Sequence, residues 1–125
     1  MRQMTVEQVK EHLSLYSLQQ ARINRYDVLT LRNKDKKENY RKKKIKAQQI
    51  RDSIENCIEE MDNQRESEVL AQKYLCGRSL DETAEILNYS KRQIERIHLK
   101  ALENISAKLS AEVDNGANNI TLRPK

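Results

Sequence analysis

Residues 80–97, Leu80-Asp-Glu-Thr-Ala-Glu-Ile-Leu-Asn-Tyr-Ser-Lys-Arg-Gln-Ile-Glu-Arg-Ile97, decide the fold. Leu80 opens a short amphipathic segment and Leu87 closes its apolar face. Between them, Thr83 and Ala84 sit where two helices must pass closely and only a small side chain fits. Asn88 falls at the sharp turn, where Gly is usual but Asn also tolerates positive φ. Ile94 and Ile97 then lie one turn apart on a second helix, both facing back to the first. Ser79 with Glu82, and Ser90 with Gln93, each have the form of a capping box, so both helix starts are written locally. Two start signals eleven residues apart, with a small residue and a turn residue between, predict a helix-turn-helix of the kind that reads DNA.

On that reading the N-terminal side chains of the second helix meet base edges. Setting aside the core positions Ile94 and Ile97 leaves Lys91, Arg92, Gln93, Glu95 and Arg96 facing outward. Arg and Lys can pair with guanine O6 and N7, Gln with adenine N6 and N7, and Glu can accept from cytosine N4. Lys73, Arg78 and Lys100 flank the motif as candidate phosphate contacts, which set register without reading sequence. Free N–H groups at the helix starts near Ser79 and Ser90 could hold phosphates too. The plainer alternative for residues 91–96 is a solvated helix face with charges paired at i,i+4.

Working outward, the charge is unevenly spread. Residues 1–50 hold 13 Lys and Arg against 5 Asp and Glu, whereas residues 51–125 hold 11 against 14. The basic excess therefore lies outside the helix-turn-helix. It is densest from Lys34 to Lys46, with eight cations, which either follow a phosphate backbone or keep an exposed tip soluble. With only Tyr40 among them, they are not a stacking platform for single strands. Two Gly, one Pro, no Trp and no Phe among 125 residues, with many Lys, Glu, Gln and Leu, favour an all-α fold of long helices with a thin core.

The order of helices follows from apolar spacing. Residues 5 to about 32 read as one helix with Thr5 as N-cap and Glu7 in the first turn. Val6, Val9, Leu13, Tyr16 and Ile23 form its main stripe, Leu15, Leu18 and Leu29 a second one, and Gln20 and Asp27 interrupt the seam. A polar link over 33–39 leads to a second helix from about Tyr40 to Asn63. Its Ala47, Ile50, Ile54, Cys57 and Met61 keep a coiled-coil rhythm, closed within one chain or paired with a second copy. The expected organisation is thus a helical hairpin over 1–63, which packs or oligomerises, and a DNA-binding unit over 64–109. That unit begins with a helix near Arg65 carrying Val69, Leu70, Tyr74 and Leu75, ended by Gly77. Its last helix keeps a stripe through Ile94, Ile97, Ala101, Leu102, Ile105 and Leu109. From Ser110 the chain turns polar and reads as a disordered tail over 110–125.

Other chemistries find no support in the residues. His12 and His98 lie in different helices without Cys or carboxylate at metal spacing, so no metal site is expected and packing or solvated histidines are the reading. No Gly-rich phosphate loop, catalytic constellation or cofactor motif occurs, and the chain does not read as an enzyme. No apolar run approaches the length of a membrane span, and the N-terminus lacks a signal-peptide pattern. Three glycosylation sequons, at Asn88, Asn104 and Asn119, have no meaning without secretion. Cys57 and Cys76 each fall in an apolar stripe, as expected of reduced thiols inside a cytoplasmic protein.

The run from Val69 to Ile105 resembles region 4 of bacterial sigma factors. That family's pattern is a Leu/Arg-Tyr helix, a Gly, an S-x-x-E-I-A helix, a turn and a helix ending Lys-Ala-Leu, and here it is matched by Tyr74, Gly77, Ser79, Glu82, Ala84, Ile94, Ile97, Lys100, Ala101 and Leu102. A helical hairpin before such a domain is similar to small phage and prophage transcription regulators of the ArpU and RinA kind. The resemblance implies promoter reading by Lys91, Arg92, Gln93, Glu95 and Arg96, with late-gene control as the implied role. Thr83 stands where the family usually has Ile. Glu95 stands where a basic residue is common, so no −35 preference carries over. The implied partners are double-stranded DNA, RNA polymerase and a second copy of the chain, without a membrane. Two other readings stay open: a module that grips polymerase or a sigma factor without reading bases, which the acidic balance of residues 51–125 favours, and a small-terminase-like DNA-packaging protein.

Overall fold

A computed structural model describes residues 4–114. Thr5 starts the first helix, α1 (Val6–Arg32), with a full capping box: its hydroxyl accepts the Gln8 N–H, and the Gln8 side chain accepts the Thr5 N–H. The helix runs 27 residues, roughly 40 Å. After Asn33 a single 3-10 turn (Lys34–Lys36) reverses the chain into α2 (Lys37–Glu59). The polar link is therefore shorter than its composition predicts. Lys, Glu and Asn at 37–39 continue a helix without difficulty, because polarity alone does not break one where Gly and Pro are absent. At the other end α2 stops before the expected Asn63. The Asn63 side chain is engaged instead as the N-cap of α3 (Gln64–Leu70), accepting the Glu66 N–H at 3.0 Å.

α1 and α2 form the most extensive helix pair. The two residues that interrupt the α1 seam are polar links to α2: Arg51 donates to Gln20 at 3.1 Å, and Lys44 pairs with Asp27 at 2.7 Å. The Ala47–Met61 stripe is buried within the single chain. Its partners come from both halves of the sequence. Val9 and Leu13 of α1, Ile50, Ile54, Cys57 and Ile58 of α2, Met61, Leu70 of α3, and Ala101, Leu102, Ile105 and Leu109 of α5 (Lys91–Asp114) make one apolar cluster. Each fully buried Leu or Ile here contributes about 1.5–3 kcal/mol relative to exposure. The hairpin and the C-terminal helices thus share a core. Of the second α1 stripe, Leu15 and Leu29 are half-buried and Leu18 is exposed.

Two expectations are corrected. The chain does not leave its helix at Ser110: α5 continues to Asp114, and Ser106, Leu109 and Ser110 are buried. The Met4 N–H donates to the Ser110 hydroxyl at 3.3 Å, and Ser53 donates to Glu112 at 3.1 Å. Small polar residues read as a tail because their composition hides that they sit beneath the start of α1. The rest of the expected tail, 115–125, lies outside the described residues. Cys76 is exposed, unlike Cys57. The helix begun by α3 widens into a π turn (Ala71–Leu75), closed by the Cys76 N–H on the Ala71 carbonyl at 3.0 Å. A wider turn rotates the residues after it off the α-helical stripe that would otherwise hold Cys76. Cys57 is an ordinary core thiol, its pKa pushed up to about 12, chiefly by burial and then by Glu112 and Glu60.

Candidate nucleic-acid interface

The helix-turn-helix is built as its sequence predicts. Gly77, at φ +77°, reverses the chain after the π turn, and the Arg78 N–H closes back on the Gln72 carbonyl at 3.1 Å. Ser79 then caps α4 (Leu80–Leu87), exchanging hydrogen bonds with Glu82 at 3.0 and 2.8 Å. Asn88 takes the left-handed conformation, φ 62° and ψ 46°, and the Tyr89 N–H reaches the Ala84 carbonyl at 2.8 Å. Ser90 and Gln93 make the matching exchange at the start of α5, at 3.1 and 2.8 Å. Both ends of the turn are therefore pinned by hydrogen bonds from within five residues, which fixes where α5 begins.

Between the two helices lies a small core of Val69, Ala84 and Ile94, flanked by Leu80, Leu87, Tyr89 and Ile97. Thr83, where the resemblance anticipates Ile, is fully buried; its hydroxyl donates to the Ser79 carbonyl at 2.8 Å, so no polar atom there is left unpaired. With Ile94 directed inward, Lys91, Arg92, Gln93, Glu95 and Arg96 are all exposed along the first turn and a half of α5. Of the flanking cations, Lys100 and Arg78 are exposed, and the Arg78 guanidinium donates to Gln72 at 3.1 Å, which holds it against the π turn. Lys73 is half-buried with its ammonium 5.4 Å from the Tyr74 ring centre.

The turn carries a further cation that sequence reading missed. The Arg65 guanidinium lies 5.9 Å over the ring of Tyr89, next to Ser90. Twenty-four residues separate the two in the chain, and no local spacing signals the contact. The support beneath α5 was likewise invisible. The Tyr74 hydroxyl and His98 Nε2 are 2.9 Å apart, their rings stacked with centres at 5.8 Å. Burial lowers His98 to about 4, helped by Lys73 and Lys10, and raises Tyr74 to about 12, helped by Glu7. At neutral pH the pair is an uncharged imidazole against a protonated phenol. Deeper in, Asn104 donates to the buried Glu66 carboxylate at 2.7 Å, tying α5 to α3.

Among the described residues no group of three His, Cys, Asp or Glu is placed to hold a metal ion. No helix among them is long and apolar enough to cross a membrane. No curated protein and no solved structure matches the chain. The family model described as Sigma-70, region 4 does match it, over residues 63–107, from the N-cap of α3 well into α5. Those residues form a sigma-70 region 4-like helix-turn-helix, a module of the DNA-binding kind, with the start of α5 facing solvent.

Proposed function

We propose that the chain is a sequence-specific transcription regulator that binds double-stranded DNA through the start of α5, acting in the cytoplasm and of the kind phages and prophages use for late genes. The observation that carries this is the exposed set Lys91, Arg92, Gln93, Glu95 and Arg96 on a helix start pinned by its own capping box, inside the segment matched by the region 4 family. Arg92 and Arg96 supply bidentate contacts to guanine, Gln93 to adenine, and Glu95 selects for cytosine. Ser90 and the free N–H groups beside it, with Lys73, Arg78 and Lys100, hold phosphates and set register.

Selection of bound sequences from random duplexes with the full chain tests this. An enriched site is expected, and Arg92→Ala or Arg96→Ala should weaken binding to it by about 1–3 kcal/mol for each bidentate pair removed. No enriched sequence, or no response to either substitution, sinks the reading.

A second reading has its own support. Ile86 and Leu99 are exposed apolar side chains on α4 and α5, and residues 51–125 carry a slight acidic excess. Both suit a module that grips RNA polymerase or a sigma factor. Capture of polymerase together with undetectable duplex binding at low salt would favour it.

A further inference from the structure

We propose that the closed end of the α1–α2 hairpin is a second duplex-DNA contact, gripping phosphates outside the footprint of the helix-turn-helix. It rests on the proposed function for its ligand, but its site is separate. Between Arg22 and Lys46 the chain carries eleven Lys and Arg against three Asp and Glu. Two of those three acids are already engaged, Asp27 by Lys44 and Glu38 by Arg41. Lys34, Lys36, Lys37, Lys42, Lys43 and Lys46 are all exposed around the end that remains.

A surface that only keeps a protein soluble intersperses both signs, as residues 51–125 do. Here like charges are stacked instead. Lys42 with Lys46 is an i,i+4 repulsion within α2, which weakens the helix unless an anion answers it, whereas Arg41 already has Glu38. The cations also sit on a firm support. Tyr26 and Tyr40 stack across the hairpin with ring centres 6.2 Å apart, and Lys44–Asp27 and Arg51–Gln20 tie the helices below. Binding therefore need not order a flexible tail.

The same features select the ligand. Tyr26 and Tyr40 stack on each other, so each covers one face of the other, and no further aromatic side chain lies between Lys34 and Lys46 to build a stacking platform for single-stranded bases. The chain has no Trp or Phe to anchor in a bilayer interface. A rigid duplex with a regular row of phosphates fits a rigid cationic end. The placement agrees. α1 and α5 meet where Met4 bonds Ser110, and the basic tip and the reading turn are the ends of α1 and α5 remote from that junction. Midway, Ala21 and Asn24 of α1 line a groove with Cys76 and Gly77, just before α4. From Asn24 the helix continues roughly 12 Å to the tip.

The test is a full-length variant with the six exposed lysines replaced by Gln, measured against duplexes across a salt series. Its affinity should fall equally on a selected and a scrambled duplex. The slope of log K against log salt should drop by about one for each phosphate that the tip no longer neutralises. Arg92→Ala should instead lose the preference for the selected duplex and keep most of the slope. An unchanged affinity and slope in the lysine variant overturns the contact, even with sequence preference intact. Loss of binding to phosphatidylglycerol vesicles with duplex binding unaltered overturns it as well. If no sequence is enriched yet the slope still falls, the tip contact stands and the reading of bases fails. Circular dichroism should show an unchanged helical spectrum; K42Q/K43Q/K46Q, expected to lose part of the slope, serves as the milder variant.

Discussion

Tyr74 and His98 lock the π turn to α5: hydroxyl and imidazole nitrogen lie 2.9 Å apart on rings that also stack. Replacing Tyr74 with Phe keeps the stack and deletes only the hydroxyl. The His98 nitrogen is then left buried without that partner, which costs about 1–3 kcal/mol. Urea unfolding of Tyr74→Phe should show that loss at an unchanged m-value. Equal stability would mean water replaces the hydroxyl and the bond holds nothing.

Stability should also fall in mild acid. His12 and His98 are both held near 4, below the ordinary 6.5, by burial. An unfolded histidine takes up its proton near pH 6.5, while the folded one resists until about 4. The unfolded state therefore binds more protons in that window, and the contribution present above pH 6.5 drains away as pH falls toward 4, at most about 3 kcal/mol per histidine. His12 is 0% exposed and neither ring nitrogen has a hydrogen-bond partner. His12→Leu should raise stability at pH 5 and flatten the pH dependence of the melting temperature. A variant that melts lower than the parent at pH 5 would refute this.

The turn offers a backbone test. Asn88 sits at φ 62°, a conformation Gly enters freely and a β-branched residue resists. Asn88→Gly should leave the melting temperature nearly unchanged, whereas Asn88→Val should cost about 1–2 kcal/mol. Similar values for the two would show that the turn relaxes instead of enforcing its geometry.

The two thiols should separate cleanly. Cys57 is buried with its pKa raised to about 12, whereas Cys76 is exposed. A thiolate-selective reagent should therefore label one site per native chain, at Cys76, and the second only after denaturation. Peptide mapping of the fast adduct to Cys57 would contradict the placement of both.

Much of this was legible in local sequence. Ser79, Glu82, Asn88, Ser90 and Gln93 act within four residues of themselves, so their spacing alone carried both capping boxes and the turn. What escaped was non-local. Nothing near Ser110 announces Met4, nothing near Glu66 announces Asn104, and the π turn that exposes Cys76 leaves no mark on apolar spacing. The candidate interface divides the same way. The outward side chains of α5 follow from helix phase, while Arg65 over Tyr89 depends on two helices meeting.

The core shared across the expected boundary at residue 63 has a measurable consequence. Among the described residues the C-terminal helices keep a small core of Val69, Ala84 and Ile94 with Leu80, Leu87, Tyr89 and Ile97 around it, whereas Leu102, Ile105 and Leu109 are buried in a cluster with α1 and α2. A fragment of residues 64–125 should lose most of its helical signal and melt without cooperativity. A sharp two-state transition in that fragment would show the C-terminal part to be self-sufficient.

α5 is one unbroken helix of 24 residues, with solvent-facing Arg92 at one end and core-bound Leu109 toward the other. A separate reading head could swivel on a hinge to suit its site. α5 has no joint, so the direction in which Lys91 to Arg96 face is set by the hairpin. Anything that tilts the hairpin, whether a ligand, a mutation or a second copy, tilts the start of α5 with it, and on the proposed function a duplex is met by turning the whole molecule or by bending the DNA.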